Sequence, residues 1–481
     1  MGREKGIRLN GTYTAMSVLF DTFSIAVSLF LADLVRHGTE MLVNPLPLLG
    51  TWGFYSILAL LLSDIESVHH ARTAVNRWLL AYRLIRIALI VTVFYVIAAF
   101  VFRLPSRWFI HSRLVIGMVF VLWSATAIML RLMLPSFIVL LSRTGLLRIP
   151  EVRILAFGDP AIIARITAML KKSSLYRRFL RFETCAEPCP PDVSERLEYC
   201  LRRMRECGCD DLCIVEDDLS FDIVAPFITR CFSEGISLSF YSSIFENIGY
   251  YDPWISFPDR PAVVFFTPPM SGAGEKFWRV VDVVLSSVAL ILLLPLFAVV
   301  SVMILLGSPG PVFFRQKRIG LNGKPFVFMK FRSMRNTTSS NVKAHKDYFA
   351  KYALGIAADT DSDSGFKLRS DDRVTWIGRI IRKTSIDELP QLLNVLRGDM
   401  SLVGPRPCIA YEMDYYKGWQ RTRFSVKPGL TGIWQVYGRS RLPFDAAQFL
   451  DLCYALKRSV GLNVRLLLKT IPVVFFGRGG Y

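Results

Sequence analysis

Four apolar stretches fill the first third of this 481-residue chain, and a fifth interrupts its second half. Residues 13–34, 46–62, 84–102 and 114–130 each approach the ~20 residues needed to cross ~30 Å of hydrocarbon. Backbone polar groups in hydrocarbon must pair internally, so these runs predict helices in a bilayer. Composition agrees: 52% of the chain is hydrophobic, 20% is charged and the mean hydropathy is +0.38. Intrinsic disorder, a collagen-like chain and a small disulfide scaffold are excluded.

Arg3, Lys5 and Arg8 precede the first run, and Arg72, Arg77 and Arg83 separate the second from the third. Arg131, Arg143, Arg148 and Arg153 follow the fourth. The positive-inside rule then puts the N-terminus, the second loop and everything after run four on the cytoplasmic side. Arg103, Arg107 and Arg113 in the outer loop run against that assignment. The first run is too long for a cleavable leader and lacks a small-residue site after it. Asp21 inside it must face the bundle interior, in a functional or a packing role. The fifth run, residues 283–306, carries no charge but contains Pro295. From Lys276 onward there are 31 basic and 14 acidic residues, a net +17, against +2 for the rest. A full crossing would carry that basic half outside. We therefore expect a re-entrant helix over 277–306 that breaks at Pro295 and returns to the same face. So basic a half beside membrane segments suits anionic lipid or a phosphorylated substrate, not nucleic acid.

A soluble stretch follows the fourth run. Residues 151–157, 212–215 and 236–241 read as strands with helical patterns between them, which predicts a Rossmann-like α/β domain over 149–267. Its first turn keeps only Gly158 of the three glycines in a dinucleotide fingerprint, so a structural or regulatory module is expected rather than a cofactor site. Cys185, Cys189, Cys200, Cys207, Cys209, Cys213 and Cys231 lack zinc-site spacing and are read as reduced cytosolic thiols. A Pro- and Gly-rich linker leads into a last domain over 268–481.

That domain's only histidine, His345, stands in a polar stretch, so Ser-His and Cys-His nucleophile pairs have little support. Carboxylates and arginines remain, the pairing suited to phosphate chemistry. In Thr384-Ser-Ile-Asp-Glu-Leu-Pro-Gln391, Ser385 and Glu388 match a capping box, predicting a helix from there to about Leu396. Asp387 and Glu388 would sit in its first turn, facing apart: one fit to attack phosphorus, the other to hold Mg²⁺ against the phosphates. The competing reading is that both merely cap the helix. Four basic groups weigh against it. Arg315-Gln-Lys-Arg318-x-Gly320 and Lys330-Phe-Arg332-Ser-Met flank an apparent hairpin with strands over 312–314 and 325–329, Gly404-Pro-Arg406-Pro407 makes a rigid turn, and Lys427-Pro-Gly-Leu-Thr-Gly432 leads to Trp434-Gln-Val-Tyr-Gly-Arg439. Asp359-Thr-Asp361-Ser-Asp363 contains an Asp-x-Asp but reads as a solvated loop. Residues 377–383 and 462–476 have apolar faces with basic residues, fit for a membrane surface. Core packing is an equal reading of the second.

These motifs, with Gly398-Asp-Met-Ser-Leu-Val-Gly-Pro-Arg-Pro407, resemble those of the polyprenyl-phosphate hexose-1-phosphate transferases, the monotopic phosphoglycosyl transferases. The layout is similar to the large form: a four-helix transmembrane region over 1–148, a Rossmann-like middle domain and an α/β catalytic domain anchored by the re-entrant helix. The resemblance implies that Asp387 attacks a UDP-hexose, releasing UMP, and that undecaprenyl phosphate then takes the phosphosugar. Glu388, with Asp387, matches the Mg²⁺ site, and Lys330, Arg332 and Arg406 match groups around the phosphates and nucleotide. It further implies a homodimer at the bacterial inner membrane that begins an O-antigen, capsule or exopolysaccharide unit, with galactose or glucose as the sugar. Leu294 before Pro295, and Asp372 in Asp371-Asp-Arg373, depart from the family's usual Ser-Pro and Asp-Pro-Arg. The rival readings are a membrane glycosyltransferase that uses Asp359 and Asp361 and releases UDP, and a non-enzymatic membrane scaffold.

Overall fold

The computed structural model describes residues 2–37, 45–66, 68–105, 109–110, 112–184, 192–217, 219–248, 256, 262–265, 272–335, 346–347, 349–354, 374–437 and 442–475. They form two compact units, the first from residues 1–217, 236–243 and 251–264, the second from 218–235, 244–250 and 265–481.

The first unit begins with four long helices, α1 (Gly2–His37), α2 (Leu46–Ile65), α3 (Arg77–Val101) and α4 (Arg113–Arg143). Each contains a segment long and apolar enough to cross a membrane. Local chemistry sets two of the starts: Asn76 accepts the Leu79 N–H at 3.0 Å and Ser112 accepts that of Val115 at 3.3 Å. In the core Tyr55 meets Trp123 edge to face and Tyr95 at a tilt, and Thr51 bonds the Tyr95 hydroxyl. Asp21 faces the bundle interior, as expected. It accepts two hydrogen bonds from the fully buried Arg131 of α4, at 2.9 and 2.8 Å.

The same unit carries a five-stranded sheet: β1 (Val152–Gly158), β2 (Leu180–Thr184), β3 (Asp211–Val215), β4 (Ser237–Tyr241) and β5 (Ala262–Phe265), in the order β2-β1-β3-β4-β5. The pairings β1–β2, β1–β3 and β3–β4 are parallel. Helices α5 (Pro160–Lys171), α6 (Ser174–Phe179) and α7 (Val193–Glu206) lie in the connections from β1 to β2 and from β2 to β3. Strand order reverses at β1, the place where open α/β sheets bind nucleotides at a helix start. Here the Asp159 carboxylate itself accepts the Ala161 and Ile162 N–H groups and fills the position a phosphate would take. Cys200, Cys207, Cys209, Cys213 and Cys231 are free thiols, and burial pushes that of Cys213 up to about 12. Cys185 and Cys189 lie outside the described residues.

The second unit includes α8 (Phe221–Ser233) and α9 (Ile244–Ile248). It continues with α10 (Gly272–Gly307), β6 (Phe313–Ile319), β7 (Pro325–Phe331), α11 (Trp376–Lys383) and α12 (Gln391–Arg397). Then follow β8 (Ser401–Val403), β9 (Gly429–Thr431), α13 (Ile433–Tyr437), α14 (Phe444–Lys457) and α15 (Val460–Phe475). Strands β6 and β7 form an antiparallel hairpin, while β8 and β9 pair in parallel. The apolar part of α10, long enough to cross a membrane, has both its flanks on this one unit. At its start Trp278 donates to Ser401 Oγ at 3.2 Å, Asp282 accepts the Leu402 N–H at 2.9 Å, and Arg279 binds the Val395 and Leu396 carbonyls at the end of α12. At its far end Val300 and Ile304 share a core with Phe331, Ile377 and Ile381. The helix runs through Pro295 without the expected break there, and Pro295 is exposed between the two ends beside exposed Leu292 and Leu294.

The capping box expected at Ser385 is not formed either. Ser385 does not cap a helix through its side chain. It is left-handed, with φ 56°, and opens a 3₁₀ turn over Ile386–Glu388, and α12 starts only after Pro390. Pro390 has no N–H to give the Ile386 carbonyl, so Leu389 closes the tighter turn to it at 3.2 Å. A non-glycine residue at positive φ costs free energy and collects at functional sites.

Candidate active site

The hairpin register decides which basic residues can act together. Lys330 lies opposite Phe314 and Arg318 opposite Phe326, both on one face, whereas Arg315 pairs with Met329 on the other. Arg315 is accordingly exposed, away from Arg318 and Lys330. Arg318 stacks over Phe328 at 4.3 Å and donates to the Pro407 carbonyl at 2.7 Å. Lys330 stands 5.3 Å from the Phe314 ring.

Into this face come the two carboxylates of the 3₁₀ turn. Burial pushes the Lys330 ammonium below its ordinary range, Asp387 and Glu388 pull it back up, and Arg318 and Arg406 push it down again. Burial and the Arg406 cation likewise push Arg318 down to about 10, with Glu412 and Glu388 opposing. Asp387 is 8% exposed and Glu388 half-buried, while the Arg406 side chain is open to solvent. Asp387, Glu388, Arg318, Lys330 and Arg406 thus form one electrostatic centre, in which three cations face two carboxylates.

The Pro-Arg-Pro turn is held rigidly. Arg318 binds the Pro407 carbonyl, and buried Arg423 binds that of Arg406 at 2.5 Å. Gly404 and Gly429 let two strands nearly touch: a Cβ on Gly429 would lie 2.0 Å from the Gly404 nitrogen. Glu412, held by the Ile409 N–H at 3.1 Å, faces Arg318, Arg406 and Arg423, and burial raises its carboxyl above the usual range.

Sequence reasoning passed over Glu412, Arg423 and Asn394. Asn394 is fully buried: its amide nitrogen donates to the Val327 carbonyl at 2.7 Å, and its oxygen accepts the Met329 N–H at 3.1 Å. It clamps α12 to the strand that carries Lys330. We expect Asn394→Ala to orphan both strand groups and cost about 2–4 kcal/mol. Chemical denaturation of the purified protein, against wild type, checks it.

The other expected site residues lie elsewhere. Arg332 donates to the Pro309 and Ser308 carbonyls at 2.9 and 2.6 Å, locking the exit from α10. Lys427 keeps company with Arg279, Asp282, Asp399 and Arg458, and burial with the Arg279 cation lowers it. Pro295 is on α10. Arg439, His345, Asp359, Asp361, Asp363, Asp371 and Asp372 fall outside the described residues.

The family described as bacterial sugar transferase matches residues 274–477, the stretch that holds this centre. The exopolysaccharide production protein ExoY of Rhizobium meliloti (strain 1021) is 37% identical over 221 residues, covering 45% of this chain and 95% of that protein. The UDP-glucose:undecaprenyl-phosphate glucose-1-phosphate transferase of Caulobacter vibrioides is 39% identical over 203 residues, 40% of this chain and 68% of its own. The undecaprenyl-phosphate galactose phosphotransferase of Salmonella typhimurium is 38% identical over 203 residues, 42% of this chain and 41% of its own. With its motif face assembled and nearly the whole of one such relative matched, the chain belongs to the bacterial sugar transferase family, the polyprenyl-phosphate hexose-1-phosphate transferases that its motifs resemble, and is a phosphotransferase enzyme.

Proposed function

We propose that the chain transfers hexose 1-phosphate from a UDP-hexose to undecaprenyl phosphate in two steps. Asp387 attacks the β-phosphorus, the bond from that phosphorus to the bridging oxygen breaks, and UMP leaves with the oxygen. The phosphosugar then rests on the Asp387 carboxylate as an acyl phosphate. An oxygen of undecaprenyl phosphate attacks the same phosphorus, freeing Asp387 and forming undecaprenyl-diphosphate-hexose. The observation that carries this reading is the convergence of Asp387 and Glu388 with Arg318, Lys330 and Arg406 on one face. Cations fixed around a phosphoryl group stabilise the charge that develops as it transfers. The names of the relatives support galactose or glucose as the sugar.

Mg²⁺ suits the donor set. Among the described residues no three His, Cys, Asp or Glu side chains gather as a cage, and Mg²⁺ is usually held by one or two carboxylates plus waters and substrate phosphates. Glu388, with Asp387 beside it, would hold the ion, which when bound supplies positive charge to the diphosphate.

The two flanks of α10 resting on one unit support a re-entrant helix whose exposed tip enters the bilayer and leaves the catalytic domain, 268–481, on the cytoplasmic face of the inner membrane. The four N-terminal helices then cross the membrane. The 149–267 domain acts as a Rossmann-like structural or regulatory module, its phosphate position taken by Asp159. The test is the nucleotide product. The detergent-solubilised chain, given UDP-galactose or UDP-glucose, undecaprenyl phosphate and Mg²⁺, should release UMP in step with lipid consumed. UDP as the product overturns the reading.

Lys330 supplies a pH dependence. Its pKa is depressed, so the charged form that attracts the diphosphate is lost as pH rises through a value below the usual lysine range. The KM for the sugar nucleotide should climb on that alkaline limb, and Lys330→Arg should move the limb to higher pH. An unmoved limb assigns the titration elsewhere.

A further inference from the structure

Within the first unit, a small pocket with a cavity volume of about 20 Å³ opens where the helix bundle meets the sheet domain. Its walls come from the start of α3, the later part of α4 and the start of α6, and its polar lining is Arg77, Arg131, Ser136, Ser173 and Ser174.

Four observations bear on what it takes. The Arg131 guanidinium lies fully buried and is already committed to Asp21 and the Val68 carbonyl, so it forms a neutralised floor. Arg77 is exposed and has no ion-pair or hydrogen-bond partner among the described residues. It sits in the first turn of a 25-residue helix with no acidic residue there, where a cation is disfavoured by the helix dipole unless an anion comes between. Ser173 is 3% exposed and lines the pocket, yet its hydroxyl has no hydrogen-bond partner. A buried, orphaned hydroxyl costs free energy that a ligand oxygen recovers. Beside it the Ser136 and Ser174 hydroxyls stand 3.3 Å apart and can turn toward the same guest.

An uncommitted guanidinium and three hydroxyls around a small opening are the donor set for a phosphate. The net charge selects the kind. With Arg131 cancelled by Asp21, one positive charge remains, which matches the single negative charge of a phosphodiester better than the ~1.5 to 2 of a monoester. The surroundings select the source. Leu132 lines the pocket and is 39% exposed, and Met133, Phe137 and Leu140 on the same helix are also exposed, an apolar flank fit for acyl chains. We propose that this pocket binds the phosphodiester head group of a membrane glycerophospholipid, with Arg77 on the phosphate, the serine hydroxyls on its oxygens, and the acyl chains running along α4. The site is separate from the sugar transfer chemistry and stands whether or not that reading holds.

Delipidated full-length protein in detergent would be titrated with phosphatidylglycerol and followed by native mass spectrometry and thermal unfolding. Wild type should retain lipid and gain thermal stability, and Arg77→Gln should need about tenfold more lipid for the same response. Arg77→Lys should keep most of the response, and Ser174→Asp, which puts an anion in the pocket, should lose it. Diacylglycerol, with no phosphate, should bind no better to wild type than to Arg77→Gln. Equal stabilisation by inorganic phosphate would overturn the lipid as the source. An unchanged lipid response in both Arg77→Gln and Ser174→Asp would overturn the site.

Discussion

Asp387→Asn should abolish UMP release, by ~10⁴-fold or more, while leaving the fold intact. An amide has nearly the shape of the carboxylate but cannot form the acyl phosphate, and Asn at this position still fits a tight turn. The neighbouring variant sharpens the test. Glu388→Gln should slow transfer yet still accumulate phosphosugar on Asp387, because Glu388 serves the phosphates and not the covalent bond. Trapping labelled sugar phosphate on the protein, in the absence of undecaprenyl phosphate, separates the two. Label on Asp387→Asn, or full turnover by it, would remove Asp387 as the nucleophile. The local backbone gives a physical reason to expect so sharp a dependence. Left-handed Ser385 and Pro390 bracket only four residues, so the carboxylate is placed by strained backbone and has little freedom to be replaced by a neighbour.

The second large effect concerns the bundle. Asp21→Ala leaves the Arg131 guanidinium, 0% exposed, without its carboxylate among apolar helices. Breaking a buried pair from one side typically costs about 3–5 kcal/mol, since the survivor's desolvation is no longer offset. Unfolding of the purified protein should shift accordingly. The double variant Asp21→Leu/Arg131→Leu should recover most of the loss, because neither charge then remains buried. A double variant as unstable as the sum of the two single ones would mean that no coupling exists and that Asp21 matters for another reason.

Much of the chain's architecture was legible along the sequence because it is local. The apolar runs at 46–62 and 84–102 lie within α2 and α3 nearly as drawn, since length and apolarity alone specify a helix in hydrocarbon. The strands at 151–157, 212–215 and 236–241 appear within a residue or so as β1, β3 and β4. The hairpin was found too, but its first strand was read only to residue 314, whereas β6 continues to Ile319 through Arg315, Lys317 and Arg318. A strand segment with charges on both faces carries no continuous apolar run, so composition ends it early. Strands β8 and β9, three residues each, were missed because their pairing is made by glycines in close approach.

The site divides along the same line. Sequence alone determined that a carboxylate pair on a turn, a basic hairpin and a Pro-Arg-Pro turn belong to phosphate chemistry, because side-chain chemistry and short spacings are properties of the chain itself. Tertiary structure decided which of those groups meet. Arg318 and Lys330 share a face with Asp387 while Arg315 points away, by the two-residue period of the strand and its register. Arg332 and Lys427 are as basic as the others, yet one ties down the end of α10 and the other stands beside Arg279. Glu412, Asn394 and Arg423 entered only through contacts across 17 to 94 residues of chain with Arg318, Val327 and Arg406. Convergence of distant residues is set by packing and register, and no local pattern encodes it.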